Sequence, residues 1–333
     1  MALAIGVDIG GTNIKVGVVD SRGRIVARRW LKTLADQGPH QALERLALAI
    51  QSLRAGRKVA AIGVGIAGLV DHRNGIVRLP PNLPGWHGTP VKKTLEGLTG
   101  LKVFCANDVN AVTLGEWLYG AGRGCTHLFC LTLGTGVGGG IIANGQPLLG
   151  ANHAAAELGH TTIFGDGPLC RCGGQGCLEC YVGADSIVER AKRKLRAQMK
   201  RLTSHRNQIA LFNDLQSEKP SRLFDMVGSL NRLTTKEIGS AARAGDPLAL
   251  QVVEETGFYL GLGIANLVAL LDPERVVLGG GVSRMGLPLL QAVRKTVLSR
   301  VPIFSGRKLD IVLSELGSDA GVIGASRLRQ WLS

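Results

Sequence analysis

The chain has 333 residues, 45% of them hydrophobic and 19% charged, with a net charge of +14. This composition excludes a disordered or fibrous protein and suffices for a large core, expected as two lobes. No stretch approaches eighteen uninterrupted apolar residues, which excludes a transmembrane helix.

The N-terminal MALAIGVDIGG lacks a basic segment and reads as a strand, not an export signal. The expected location is therefore the cytoplasm, where the seven cysteines stay reduced and clustered thiols serve as metal ligands or catalytic groups more often than as disulfides. LAIGVD at 3–8 is a short apolar strand ending in an acid, followed by Gly10-Gly11-Thr12-Asn13 and the alternating run IKVGVVD at 14–20. Residues 21–24 form a hairpin turn and IVARRW a third strand. Helical spacing marks 40–54, VAAIGVGIAG at 59–68 is a buried strand, and 90–99 is a short helix. VFCAND at 103–108 is a strand ending in an acid, with a helix over 110–122 behind it.

The opening pattern then recurs. LFCLTLG at 128–134 is a strand, Thr135-Gly136 opens a glycine loop, and VGGGIIANGQPLL is a hairpin turning at Asn144-Gly145. Strand, glycine–threonine loop and hairpin thus occur twice, which predicts a duplicated architecture with one phosphate loop per lobe. A long apolar helix around 247–271 precedes a third strand-to-glycine turn, RVVLGGGVS at 275–283, and one final helix spans 318–332. Between Arg190 and Lys236 twelve basic residues face only three acidic ones. A solvated helical face with a loop accounts for this better than a polyanion patch, because no aromatic residues interleave and no nucleic-acid-binding motif is present.

A nucleotide phosphate needs backbone N–H groups at close range, and glycine permits that approach. Gly10 and Gly11 offer it, Thr12 adds a hydroxyl, Lys15 a charge, and Asp8 at the strand end could hold Mg²⁺ through water. Gly134, Thr135 and Gly136 offer a second such loop. The run 134–139 satisfies G-x-G-x-x-G, but a hairpin follows where a dinucleotide fingerprint needs a helix, so the Rossmann match is rejected. Asp108 closes a strand ahead of a helix; it could take the proton of an attacking alcohol during phosphoryl transfer, or simply cap the helix. Cys170, Cys172 and Cys177 with His160 supply three thiolates and an imidazole, a set suited to a closed tetrahedral Zn²⁺ site, with Cys180 a lower-ranked competitor. Glycines 173, 174 and 176 supply the tight turns of such a knuckle. The metal would organise a wall carrying Glu157, Glu179 and the free nitrogen of His160, acceptors suited to sugar hydroxyls.

These motifs resemble those of the ROK family of bacterial sugar kinases over nearly the whole chain. GVDIGGTNIKVGVVD is similar to the family's first phosphate motif, LTLGTGVGGGI to its second, VVLGGGVS to its adenosine motif, and AELGH with CRCGGQGCLE to its signature. The resemblance, strongest to the family's glucokinases, implies an α/β, two-lobed actin-like ATPase (ribonuclease H-like) duplicated fold with a cleft between lobes. The small lobe would comprise 1–115 with the C-terminal helix 318–333 returning to it, and the large lobe 116–317. It implies ATP- and Mg²⁺-dependent phosphorylation of a hexose 6-hydroxyl, glucose first, with N-acetylmannosamine, N-acetylglucosamine or another hexose as alternatives, and a homodimer. By motif, Asp108 would be the base; Gly68, Asn107, Asp108, Glu157, His160 and Glu179 would surround the sugar; Gly280 and Gly281 would lie at the nucleotide; and His160, Cys170, Cys172 and Cys177 would hold zinc. A sugar-responsive transcriptional regulator is the alternative of another class, but such members carry a helix-turn-helix ahead of a first strand that here begins near residue 3. The sequence departs from the family at Ala156, where glycine is usual, and around 195–232, which reads as a basic insertion.

Overall fold

A computed structural model of the chain describes residues 3–206, 221–301 and 308–332. β1 (Leu3–Ile9), β2 (Asn13–Val19) and β3 (Ile25–Lys32) form an antiparallel meander. Helix α1 (Pro39–Arg54) carries the chain over to β4 (Val59–Ile66), parallel to β1. A hairpin of β5 (Leu69–Asp71) and β6 (Ile76–Leu79) and helix α2 (Val91–Thr99) lead to β7 (Val103–Asn107), parallel to β4. The first sheet therefore has the order β3-β2-β1-β4-β7. β1 and β4 are almost wholly buried, which explains their unbroken apolar runs, whereas edge strand β3 exposes Arg28, Arg29, Trp30 and Lys32.

Helix α3 (Asp108–Tyr119) crosses to β8 (Leu128–Leu133), β9 (Val137–Ala143) and β10 (Gln146–Pro147). Asn144 and Gly145, at φ 53° and 67°, give the left-handed pair that a tight hairpin requires. Five helices follow: α4 (Glu179–Val182), α5 (Ala184–Arg206), α6 (Leu223–Val227), α7 (Thr235–Arg243) and α8 (Pro247–Leu271). Then come β11 (Arg275–Gly279), α9 (Leu287–Arg300) and β12 (Asp310–Leu313). The second sheet, β10-β9-β8-β11-β12, repeats the first strand for strand, with a hairpin on one side of the founding strand and parallel crossovers on the other. The duplication read from the two glycine–threonine loops is a repeated topology. Each sheet has its own core: Ile5, Val7, Leu46, Val64 and Trp86 in one, Phe129, Leu131, Leu260, Ile264 and Leu278 in the other.

In the segment 190–236, residues 207–220 lie outside the described residues. Before them, Arg190 turns inward to the Tyr181 carbonyl (3.0 Å) and the Thr256 hydroxyl (2.6 Å), and Lys194 pairs with Glu255 at 2.7 Å.

The single C-terminal helix expected over 318–332 is two helices, α10 (Ala320–Ala325) and α11 (Leu328–Leu332). The break follows from how closely α10 is seated on α3 and on β1 and β4. A Cβ at Gly6 would fall 1.8 Å from the Val322 oxygen, one at Gly63 1.7 Å from that of Ala325, and one at Gly324 1.7 Å from that of Ala111. Backbone lies on backbone, and the axis cannot simply continue past the sheet. Ser326 donates its hydroxyl to the Ile323 carbonyl at 2.6 Å, while the Arg327 guanidinium reaches the Tyr119 hydroxyl (2.7 Å) and the Asp20 carbonyl. Gly324→Ala improves helix propensity, yet its methyl has no space beside Ala111. The expected net loss is about 2 kcal/mol, read as a thermal midpoint lowered by several degrees; an unchanged midpoint would show that α10 has freedom the close contacts deny it.

Candidate active site

The expected site residues lie at strand ends and in the loops that follow them. Asp8, near the end of β1, sits 3.3 Å from the Lys15 ammonium, which also donates to the Ser318 carbonyl at 3.0 Å. Burial raises the Asp8 pKa and Lys15 opposes the rise. Lys15 is therefore committed to holding Asp8 beside the start of α10, where the sequence offers it only as a phosphate charge. In the loop after β1, Gly11 has an internal reason to be glycine, since a Cβ would meet the Asn82 oxygen at 2.6 Å; Gly10 is less crowded, and Thr12 is exposed.

Asn107 caps α3: its Oδ1 accepts from the backbone N–H groups of Val109 (2.8 Å) and Asn110 (3.1 Å). Its Nδ2 donates to the Gly68 carbonyl and to Asp108 Oδ1, both at 3.0 Å. The principal capping role considered for Asp108 thus belongs to its neighbour. Val109 N–H also reaches Asp108 Oδ1 at 3.0 Å, so this oxygen is fixed from two sides. Burial first, and then the Asp8 and Glu157 carboxylates, push the Asp108 pKa up to about 6 against the opposing Val109 N–H. Such a group is ionised at neutral pH and retains appreciable basicity.

The second glycine loop is braced by Glu179. Its Oε2 accepts the Val137 N–H at 2.9 Å, and a Cβ at Gly136 would fall 2.7 Å from the same oxygen. Gly134 accepts from Ala184 N–H at 2.9 Å, and Thr135 is exposed. As the sequence suggests, this loop feeds the β9–β10 hairpin and not a helix. Gly280, at φ 87°, packs onto β8, where a Cβ would lie 2.3 Å from the Leu133 oxygen, while a Cβ at Gly281 would meet nothing within 4 Å. Glu157 is exposed; burial raises its pKa, with His160 lowering and Glu179 raising it, so these three side chains lie within electrostatic reach of one another. Ala156 holds a left-handed φ of 72°, the conformation for which glycine is the usual residue.

His160, Cys170, Cys172 and Cys177 place one ligand atom each within 4.8 Å of all the others. The His160 Nδ1–Cys170 Sγ distance is 3.7 Å and Cys172 Sγ–Cys177 Sγ is 3.8 Å. A tetrahedral ion about 2.3 Å from each of two sulfurs holds them about 3.8 Å apart, so the four side chains fit one such ion. Burial, reinforced by the adjacent thiols, pushes Cys177 up to about 12, whereas the Gly174 N–H lowers Cys172. A cation is what would let all three sulfurs be thiolates together. Gly176, at φ 66°, admits no side chain, because a Cβ would lie 1.6 Å from the Phe164 oxygen. Cys180 instead directs its thiol toward the Leu169 carbonyl at 3.8 Å.

One buried carboxylate escapes the sequence reading. Glu116 in α3 accepts from Ala121 N–H (2.9 Å), the Ser314 hydroxyl (2.5 Å) and Leu316 N–H (3.0 Å), tying the helix that begins at Asp108 to the segment leading into α10. Its only signal is an acid among apolar residues in TLGEWLY.

The two repeated sheets, each with a glycine loop after its founding strand, and a half-buried carboxylate at the tip of β7 define a two-lobed phosphotransferase of the actin-like ATPase class. The ROK family profile matches residues 4–331. The chain is 38% identical over 325 residues to the glucokinase of Thermotoga maritima, covering 97% of this chain and 96% of that one. It is 36% identical over 329 residues to the glucokinase of Streptomyces coelicolor, covering 98% of each. The crystal structure of a ROK family glucokinase from Streptomyces griseus in complex with glucose and AMPPNP matches with a TM-score of 0.81 at 36% identity, covering 99% of this chain and 100% of that one. The chain belongs to the ROK family and is a sugar kinase. Among the described residues no helix is long and apolar enough to cross a membrane.

Glu116→Ala would leave several buried donors without an acceptor, at an expected cost of about 2–3 kcal/mol. Glu116→Gln keeps part of the network, so its thermal midpoint should fall between those of Glu116→Ala and the parent; a Glu116→Ala midpoint equal to the parent's would mean that the carboxylate's hydrogen bonds contribute nothing.

Proposed function

We propose that the chain phosphorylates the 6-hydroxyl of glucose from ATP, with Asp108 as the base. The observation that carries this reading is a carboxylate with a pKa of about 6, one oxygen of which is fixed by Asn107 Nδ2 and Val109 N–H. Relatives that are glucokinases, and a matching glucokinase in complex with glucose and AMPPNP, support the choice of sugar and donor.

In this reading the lobes divide at about residue 115, with α10 and α11 returning to the first. Glucose lies between Gly68, Asn107, Glu157, His160 and Glu179, and the triphosphate between the Gly10–Thr12 and Gly134–Gly136 loops, with Gly280 and Gly281 toward the nucleoside. Asp108 Oδ2 accepts the proton of the 6-hydroxyl as its oxygen bonds to the terminal phosphorus and the bond to the ADP oxygen breaks. Alignment and charge stabilisation then supply most of the rate. Asp8 would hold Mg²⁺ through water, and the ion would offset phosphate charge. Zinc on His160, Cys170, Cys172 and Cys177 would be structural: with four protein ligands it has no open position, and it would stiffen the wall that carries Glu157 and Glu179.

Asp108→Asn is expected to retain measurable glucose binding while turnover falls by about 10²–10⁴. In the parent protein the base must be ionised, so kcat/KM, which follows the unliganded enzyme, should decline tenfold per unit of acidity below about pH 6, following the raised Asp108 pKa. A turnover unchanged by the substitution would remove Asp108 from the chemistry. Elemental analysis of purified, active protein should give about one zinc per chain, with stability lost on strong chelation; active, folded protein without zinc would refute the structural role.

A further inference from the structure

The β5–β6 turn follows the first sheet's strands and the 148–156 loop follows the second sheet's hairpin, yet the two segments meet through a pair of imidazoles. His72 and His153 pack edge to face, with ring centroids 3.9 Å apart and planes at 71°. His153 holds a left-handed φ of 59°, unfavourable for a residue with a Cβ. Its Nδ1 is buried without a hydrogen-bond partner. A strained backbone and an unpaired nitrogen both disfavour this placement; the ring contact and the hydrogen bond from His153 N–H to the Gly150 carbonyl at 3.2 Å oppose them. Each side leads directly to the sugar residues. β5 begins one residue after Gly68, whose carbonyl holds Asn107, and the chain reaches Ala156 and Glu157 three and four residues after His153.

We propose that the His72–His153 contact is a clasp across the mouth of the hexose cleft, and that protonation of His72 releases it and opens the site. The link to hexose rests on the kinase reading above; the clasp itself does not.

The charges around the pair make it responsive to acid. Burial holds His72 below the usual imidazole range, His153 and Arg73 lower it further, and Asp71 opposes them. Asp71 is itself held at about 2, first by Asn74 and also by Arg78 from β6, so it stays ionised across the relevant range and does not switch. In the 148–156 loop His153 is the sole ionisable side chain, so that loop supplies no carboxylate to neutralise a charged pair. The sign follows from linkage. The contact favours neutral His72, so its contribution is fully present above the ordinary imidazole pKa and is lost as pH falls below it, by up to tenfold per unit. Transfer of a phosphoryl group from ATP to an alcohol releases a proton near neutral pH, so accumulated acid from turnover would open the clasp.

The test compares the parent with His72→Phe, which keeps an edge-to-face contact, and His72→Gln; both are uncharged at every pH. The glucose KM of the parent should rise about tenfold from pH 7.5 to 5.5, and that of both variants at least threefold less. Titration of Glu157 and Asp108 acts on all three proteins, so the difference between the KM profiles isolates the clasp. Small-angle scattering of the unliganded proteins gives a readout independent of turnover: the radius of gyration should increase in acid for the parent and stay constant for the variants. KM profiles and radii that coincide for parent and variants would overturn the proposal. Acid-dependent expansion of the parent alone, in a protein that phosphorylates no hexose, would support the clasp and refute the kinase reading.

Discussion

The proposed site depends on keeping a half-buried carboxylate charged and aimed. Asp108 stands where burial, Asp8 and Glu157 all disfavour its ionised form. Local donors hold the charge there, among them the Val109 N–H and the Asn107 amide, both on Oδ1. Those donors belong to the first turn of α3, so their aim is no better than the placement of that helix. α3 is in turn fixed by the backbone contact of Ala111 with α10 at Gly324 and by the carboxylate of Glu116 near its C-terminal end. The position of Asp108 at one end of α3 is thus set by packing and hydrogen bonding along its whole length.

The glycines of the loops divide by physical cause. Gly11 and Gly280 have backbone oxygens 2.6 and 2.3 Å from where a Cβ would stand, so internal packing alone excludes a side chain at each, whereas a Cβ at Gly136 would meet the Glu179 carboxylate, the end of a side chain that can shift. Gly281 has nothing within 4 Å and Gly134 only an atom at 4.0 Å. At those two positions the absence of a side chain leaves open backbone, the condition for close approach of a phosphate. A glycine motif therefore mixes residues that shape the loop with residues that could present it to a ligand, and the sequence prints both with the same letter.

Local patterns were the legible part. The repeated strand, glycine loop and hairpin gave the duplicated topology because each is built from consecutive residues. The cysteine cluster was legible for the same reason: three of its four ligands fall within eight positions, between Cys170 and Cys177. The illegible parts depend on partners distant in the chain. Glu116 meets residues about two hundred positions away. The break between α10 and α11 is dictated by glycines at positions 6 and 63, on strands far upstream. Lys15 looked like a phosphate ligand because its pairing with Ser318 spans 303 positions. The cap of α3 failed differently: Asn107 and Asp108 are adjacent and both able to cap, and only the backbone directions at the helix start separate them.

The cysteine knuckle and the second glycine loop form one mechanical unit. Cys177 is followed within two residues by Glu179, whose Oε2 holds Val137 at the root of β9, and Gly183, just past the same short helix, packs against the Thr135 oxygen. On the other side, His160 closes the turn that begins at Glu157. An ion drawing His160 and Cys177 to fixed distances would therefore constrain both Glu157 and the loop at 134–136 without touching either. This makes sense of a closed ligand set beside a site whose proposed chemistry needs no zinc. A four-coordinate ion contributes stiffness, and stiffness in the wall is what alignment of a sugar hydroxyl with a phosphorus atom demands.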